Sequence, residues 1–188
     1  MKNNTLTNHI PVHSTKIHTY SGTNNELVNE FLDINYLGFA EFTAALSKDV
    51  LYQSIADTGR KRYKLSKELY QTAISLKQAS DNLLDLHYLY IRSSLPSYDN
   101  KPFMIENYSD SYSVLAKDVG SLRYKEGVEV LTGITDLIVN IAKKDILVEE
   151  SLSKIVSMED NFYKARTSLN NAWIISEPYM LPKSTVQK

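Results

Sequence analysis

From Leu65 to Tyr90, the residues Leu65, Leu69, Thr72, Leu76, Ala79, Leu83, Leu86 and Tyr90 recur at spacings of four and three without a slip. That spacing puts all of them on one stripe of an α-helix, and a sustained seven-residue repeat marks helices packed side by side at shallow angles. A strand would need alternation with period two. The chain is therefore constrained to a helical bundle before any other residue is considered. A second set, Tyr63, Tyr70, Ala73, Ile74, Leu84 and Ile91, widens the stripe. A wide stripe places this helix, expected over about 60–94, inside a bundle rather than in a two-stranded coil.

Proline placement divides the rest. Proline lacks an N–H and clashes with the preceding turn, so it interrupts helix interiors. Pro11, Pro96, Pro102, Pro178 and Pro182 leave two long proline-free spans, Val12–Leu95 and Phe103–Glu177, each long enough for two helices. Upstream of the seam, Leu27, Phe31, Ile34, Leu37, Phe42, Leu46, Val50 and Ile55 keep a helical period with a drifting register. They predict a helix over about 25–57, in one or two pieces, with a bend or new N-cap at Ser47–Asp49. Thr58-Gly59 reads as its stop, since glycine takes a left-handed C′ position easily. The stretch Leu95–Phe103, with two prolines and the turn formers Ser97, Asp99 and Asn100, is the clearest loop.

A third helix is expected over about 110–143, starting at Asp110 or Ser111. Leu115, Val119 and Leu122 give one register and Leu131, Ile134, Ile138 and Ile141 another, with Gly120, Gly127 and Gly133 among them. Each glycine weakens a helix interior by about 1 kcal/mol relative to alanine. This is the weakest helix, with a kink or hinge at the glycines. Lys143-Lys144 suits a C-terminus and Asp145 an N-cap. The fourth helix follows over about 146–175 on the seam Ile155, Met158, Phe162, Ala165, Leu169 and Ala172, as a hairpin or as one kinked continuation. The expected fold is all-α: an elongated four-helix, up-down bundle with extended N- and C-terminal tails at 1–24 and 177–188. Its first core residues are Leu65, Leu69, Leu76, Leu83, Leu86, Ile134, Ile138, Ile155, Phe162 and Leu169.

Composition narrows the chemistry. A chain of 188 residues with 43% hydrophobic and 23% charged residues can bury a core and is not a disordered polymer. Its formal charge of −1 makes it no polycation as a whole. It contains no cysteine, which excludes disulfides, thiol nucleophiles and cysteine-ligated metals, and favours a reducing compartment. The N-terminal residues lack the apolar core of a signal peptide. No apolar run is long enough for a membrane span, so no membrane insertion is expected.

No enzymatic site is legible, and no cofactor or metal is expected. No glutamate is followed three residues later by histidine, the motif a di-metal bundle needs. His9, His13 and His18 lie in the N-terminal tail with Pro11 between the first two. His87, the fourth histidine, reads as a boundary residue of the seam helix. Phosphate-binding glycine motifs are absent, and the scattered carboxylates form no marked pair.

Two features carry the functional expectation. Arg60, Lys61, Arg62 and Lys64, continued by Lys67, form a basic cluster around Tyr63. Cations at a helix N-terminus oppose the helix dipole, so the cluster reads as a patch for an acidic neighbour, with nucleic acid the lesser expectation. Both tails carry scattered apolar residues, Ile10, Val12, Ile17 and Tyr20 at the front and Tyr179, Met180 and Leu181 at the back, which read as contacts to other subunits. Thirteen tyrosines against five phenylalanines read either as a coding bias toward A/T-rich codons or as an amphipathic surface of the kind found where proteins meet. These features point to a non-enzymatic structural protein of a homo- or hetero-oligomer. Its layout is that of a bacteriophage connector or ring component, cytoplasmic or assembled into a virion in the cytoplasm. The alternative is a small helical adaptor, chaperone or regulator that grips a protein partner in an interhelical groove.

Overall fold

The computed structural model describes residues 13–15, 17–93, 101–105, 108, 110–144 and 149–180. Among the described residues the protein is all-helical, with six helices and no strand: α1 (Asn24–Glu30), α2 (Tyr36–Gly59), α3 (Tyr63–Ser93), α4 (Tyr112–Gly120), α5 (Tyr124–Lys144) and α6 (Glu149–Met180). A single 3-10 turn, Phe31–Asp33, joins α1 to α2.

The seam folds as its spacing dictates. Every one of its eight residues is buried, Leu69, Thr72, Ala79, Leu83 and Leu86 completely. All ten residues expected to lead the core are buried too. Helix α3 lies between α2 and α6. Against α2 the contacts are short hydroxyl bridges: Ser80 Oγ donates to Ala40 O at 2.8 Å, Ser47 Oγ to Ala73 O at 2.7 Å and Ser54 Oγ to Ser66 O at 2.8 Å. Small residues at these positions let the two backbones approach closely, and each hydroxyl finds the acceptor that burial demands. The descending partner numbers show that α2 and α3 are antiparallel. Helix α6 is antiparallel to α3 as well: Asn82 meets Ser157 and Glu68 meets Asn171.

Three boundaries differ from the sequence reading. The first helix does break, but at Ile34–Asn35 rather than at Ser47–Asp49. Asn35 caps α2 by accepting from Gly38 N–H at 2.9 Å, and its own N–H donates to Pro102 O at 3.0 Å. Ser47 lies in the middle of α2, where its hydroxyl serves α3. The expected third helix is two helices. Helix α4 runs alongside α2, with Tyr112 by Phe42 and Gly120 by Asp49. The chain then reverses at Ser121–Arg123 and α5 returns. The change of register between Leu122 and Leu131 is this reversal, not a kink. The expected four-helix arrangement is thereby replaced by six helices. Helices α5 and α6 form an antiparallel pair, with Gly127 near Leu169 and Lys143 bonded to Glu159 at 3.1 Å, so they are a hairpin and not one kinked helix. Asp145, the expected cap between them, lies outside the described residues. Finally, α6 continues through Pro178 to Met180, past the expected end near residue 175.

The short elements close the side of the bundle that α2 and α5 leave open. Phe31 sits on Phe39 and Phe42 with ring centroids 5.2 and 4.8 Å apart, and all three are fully buried. Helix α1 is held by a capping box. Thr23 N–H donates to Glu26 Oε2 at 2.6 Å and Glu26 N–H to Thr23 Oγ1 at 3.2 Å. Two glycines permit close approach. A Cβ on Gly38 would lie 2.3 Å from Phe103 O, and one on Gly120 would lie 2.2 Å from Asp49 Oδ2.

The described part of the N-terminal segment is not a free tail. Ser14 pairs with the α4–α5 reversal, accepting from Arg123 N–H at 2.8 Å and donating to Ser121 O at 3.1 Å. Ile17 and Tyr20 are buried in the chain's own core. Tyr20 donates to Glu30 Oε1 at 2.7 Å, and burial followed by that carboxylate pushes its hydroxyl pKa up to about 12.

Candidate functional site

The basic cluster forms the turn between α2 and α3. Arg62 N–H donates to Asp57 O at 2.8 Å and Lys61 N–H to Thr58 O at 2.9 Å, which reverses the chain in three residues. The left-handed residue of this turn is Lys61, with φ 62°, and not Gly59, which remains helical. A side chain with a Cβ is strained there.

Two of the five cations have a local role. The Asp57 side chain is nearly inaccessible, and Arg60 and Arg62 place Nη1 at 3.6 and 3.5 Å from its Oδ1. These are ion-pair contacts beyond ordinary hydrogen-bond length, and Oδ1 has no hydrogen-bond partner. A buried carboxylate without such cations would carry a large desolvation penalty. The Tyr124 hydroxyl titrates well above its ordinary range, first because it is buried and then because Asp57 is near. Lys61, Lys64 and Lys67 are exposed, and among the described residues no carboxylate lies within ion-pair distance of them.

Beyond the turn, the outer surface of α3 carries a feature the sequence reading placed inside. Tyr63, Lys67, Tyr70, Ile74 and Lys77 recur at four and three residues, and Asp81, Leu84, Tyr88 and Ile91 continue the same spacing. This second seam runs beside the buried one but faces out. Tyr63 is 64% exposed, Tyr70 47%, Tyr88 54% and Ile91 49%, while Ile74 and Leu84 are half-buried. Only Ala73 of the expected second set is in the core. Lys77 and Asp81 bond to each other in the middle of the seam. On α2, Tyr52 and Ile55, each 58% exposed, extend the outer face toward the basic turn.

A cavity of about 30 Å³ lies among Leu46, Val50, Leu76, Val119, Leu131 and Leu169, room for one or two waters. Among the described residues no three or more His, Asp or Glu side chains converge as metal ligands. No helix of the described residues is long and apolar enough to cross a membrane. His13 packs on the Tyr124 ring at 5.1 Å, His18 is exposed, and burial shifts His87 downward. Of the expected tail contacts, Ile17 and Tyr20 are core residues, and Tyr179 and Met180 end α6. Ile10, Val12 and Leu181 lie outside the described residues, as does His9.

No known family, curated protein or solved structure matches the chain.

Proposed function

We propose that this chain is a non-enzymatic structural protein, a subunit whose work is to contact other protein subunits in a larger assembly. On this proposal it serves as a component such as a connector or ring subunit of a bacteriophage particle, cytoplasmic or built into a virion there. The observation that carries this reading is the second seam of α3. A seven-residue repeat of tyrosine, isoleucine and leucine, interrupted by Lys67, Lys77 and Asp81, lies exposed or half-buried on a helix whose inner seam is already filled. Tyrosine in that setting supplies large, stiff contact area with a polar tip for the rim. The exposed Lys61, Lys64 and Lys67 would face an acidic neighbour, with packaged nucleic acid the lesser alternative.

The reading as an adaptor that grips a partner between its helices is less well supported. α1, the 3-10 turn and α4 fill the side of the bundle where such a groove would open. Contacts through the termini narrow to Ile10 and Val12, and to the segment from Tyr179 onward, because Ile17 and Tyr20 already have partners within the chain.

The test is the mass of the full-length protein by light scattering across concentration and salt. An oligomer of defined mass is expected. A monomer at every concentration would contradict self-assembly. Deleting residues 1–12 and 181–188 separates the two contact surfaces, since it leaves Ile17, Tyr20 and α6 in place.

A further inference from the structure

We propose that the outer seam of α3 pairs with the same seam of a second copy of this chain, antiparallel and about a two-fold axis. The inference rests on the assembly reading and names its first contact. A seam at strict four–three spacing selects a helix as its occupant, because only another helix at a shallow angle presents holes at that repeat. From Tyr63 to Ile91 it spans about 42 Å at 1.5 Å per residue, a long uninterrupted surface.

The two charges in the middle choose both partner and direction. A parallel, in-register pair would set Lys77 against Lys77 and Asp81 against Asp81 of the second copy, like against like twice. An antiparallel pair centred near Ala79 sets Lys77 of each copy against Asp81 of the other. The same register brings Tyr70 opposite Tyr88 and Ile74 opposite Leu84 next to the charged centre, and Lys67 opposite Ile91 in the outermost layers, where the lysine's long stem carries its ammonium out to water. Sliding by one heptad either way takes Lys77 and Asp81 out of register and sets Lys77 against Ile74 or Asp81 against Leu84, which moves an unpaired charge from the ends into the middle of the contact. The bond that Lys77 and Asp81 make within one chain becomes a four-charge ring at the two-fold axis. An interface in which residue i meets j and j meets i is the isologous contact of a symmetric dimer.

The absence of cysteine makes the register directly testable. Tyr70→Cys and Tyr88→Cys would each introduce the only cysteine in the chain. Circular dichroism confirms that each variant folds. One variant carries a tag, and the two are oxidised alone and mixed, beside light scattering of the unmodified protein. In the proposed register the two cysteines meet across the interface, whereas either cysteine and its own copy are about 27 Å apart along the axis, far beyond disulfide reach. A cross-linked mixed dimer, with no cross-link in either variant alone, is the expected result. Cross-linking of each variant with itself would mean a parallel pair and would overturn the proposal. No cross-link from an oligomeric protein would overturn it while leaving the assembly reading intact. No cross-link from a monomer would overturn both. As an independent readout, Lys77→Glu should weaken dimerisation about tenfold, and adding Asp81→Lys should restore it. Failure of the double variant to rescue would also count against the register.

Discussion

Helix α3 carries two seams of the same spacing with opposite fates. The inner one, from Leu65 to Tyr90, is filled by α2 on one side and α6 on the other, down to complete burial of Leu83 and Leu86. The outer one, from Tyr63 to Ile91, has the same rhythm, but among the described residues its tyrosines, lysines, Asp81 and Ile91 stay exposed. The difference lies in composition. The inner positions are leucine, alanine and threonine up to Tyr90 at the end, uncharged throughout and able to interlock at core density. The outer positions include three tyrosines, two lysines and one aspartate, which tolerate water while the seam is open and still supply area when it is closed. A repeat pattern thus states that a helix should lie alongside, and residue type states whether that helix belongs to the same chain.

Substitutions can break this contrast in decreasing order of effect. Leu83→Ala in the inner seam should lower unfolding free energy by about 2–5 kcal/mol through lost burial and the cavity left behind. Tyr70→Ala in the outer seam should change the monomer's stability by no more than about 0.5 kcal/mol. Chemical denaturation at low protein concentration measures both, and equal losses would erase the distinction between the seams. Helix α2 should show the same asymmetry. Gly38→Ala on its inward face drives a Cβ into Phe103 O and loosens the carbonyl that Tyr112 donates to at 2.7 Å, at an expected cost of about 1–3 kcal/mol. Ile55→Ser on its outward face should be nearly silent in the monomer. Thr23→Ala removes the cap of α1, the element that covers the inner side of α5, and should cost about 1 kcal/mol in thermal or chemical unfolding.

Much of this was legible in the sequence, for physical reasons that also explain the failures. The α3 and α6 seams have one strong period over many turns, so local pattern and final packing agree. The α4–α5 reversal was not legible. Ser121–Arg123 contains no proline, and the only glycine nearby, Gly120, is placed by its fit against Asp49 rather than by a turn. That fit is a tertiary fact. The same holds for Asn35, whose capping role depends on Pro102 some 67 residues away in the chain. The burial of Ile17 and Tyr20 was hidden because a single extended segment has no period to read. The inner seam was legible as core, but Tyr63, Tyr70, Ile74, Leu84 and Ile91 read as a widening of it, and that most of them face out depends on where α2 and α6 lie.

The smallest expected effect concerns pH at the α2–α4 junction. Burial raises the Asp49 carboxyl above its ordinary value, against the Gln53 hydrogen bond and the Lys117 charge. A raised acid favours the folded state when protonated. Its contribution therefore falls as pH rises from the ordinary aspartate range through the raised folded value, and stays low above it. Asp49→Asn keeps an acceptor for Gln53 Nε2, now bonded at 2.8 Å, and removes the charge. Melting temperatures from pH 3 to 7 should show the variant gaining on the natural protein as pH rises. A constant difference would place the cost elsewhere.

The most direct test of the central claim, that the outer seam of α3 is a contact surface and not a solvated face, is sedimentation equilibrium of the natural protein beside Tyr70→Glu/Tyr88→Glu. The account predicts that the natural protein associates and that the variant loses this association while keeping its helical spectrum and unfolding midpoint. An unchanged mass distribution in the variant would contradict it and leave the second seam as surface alone.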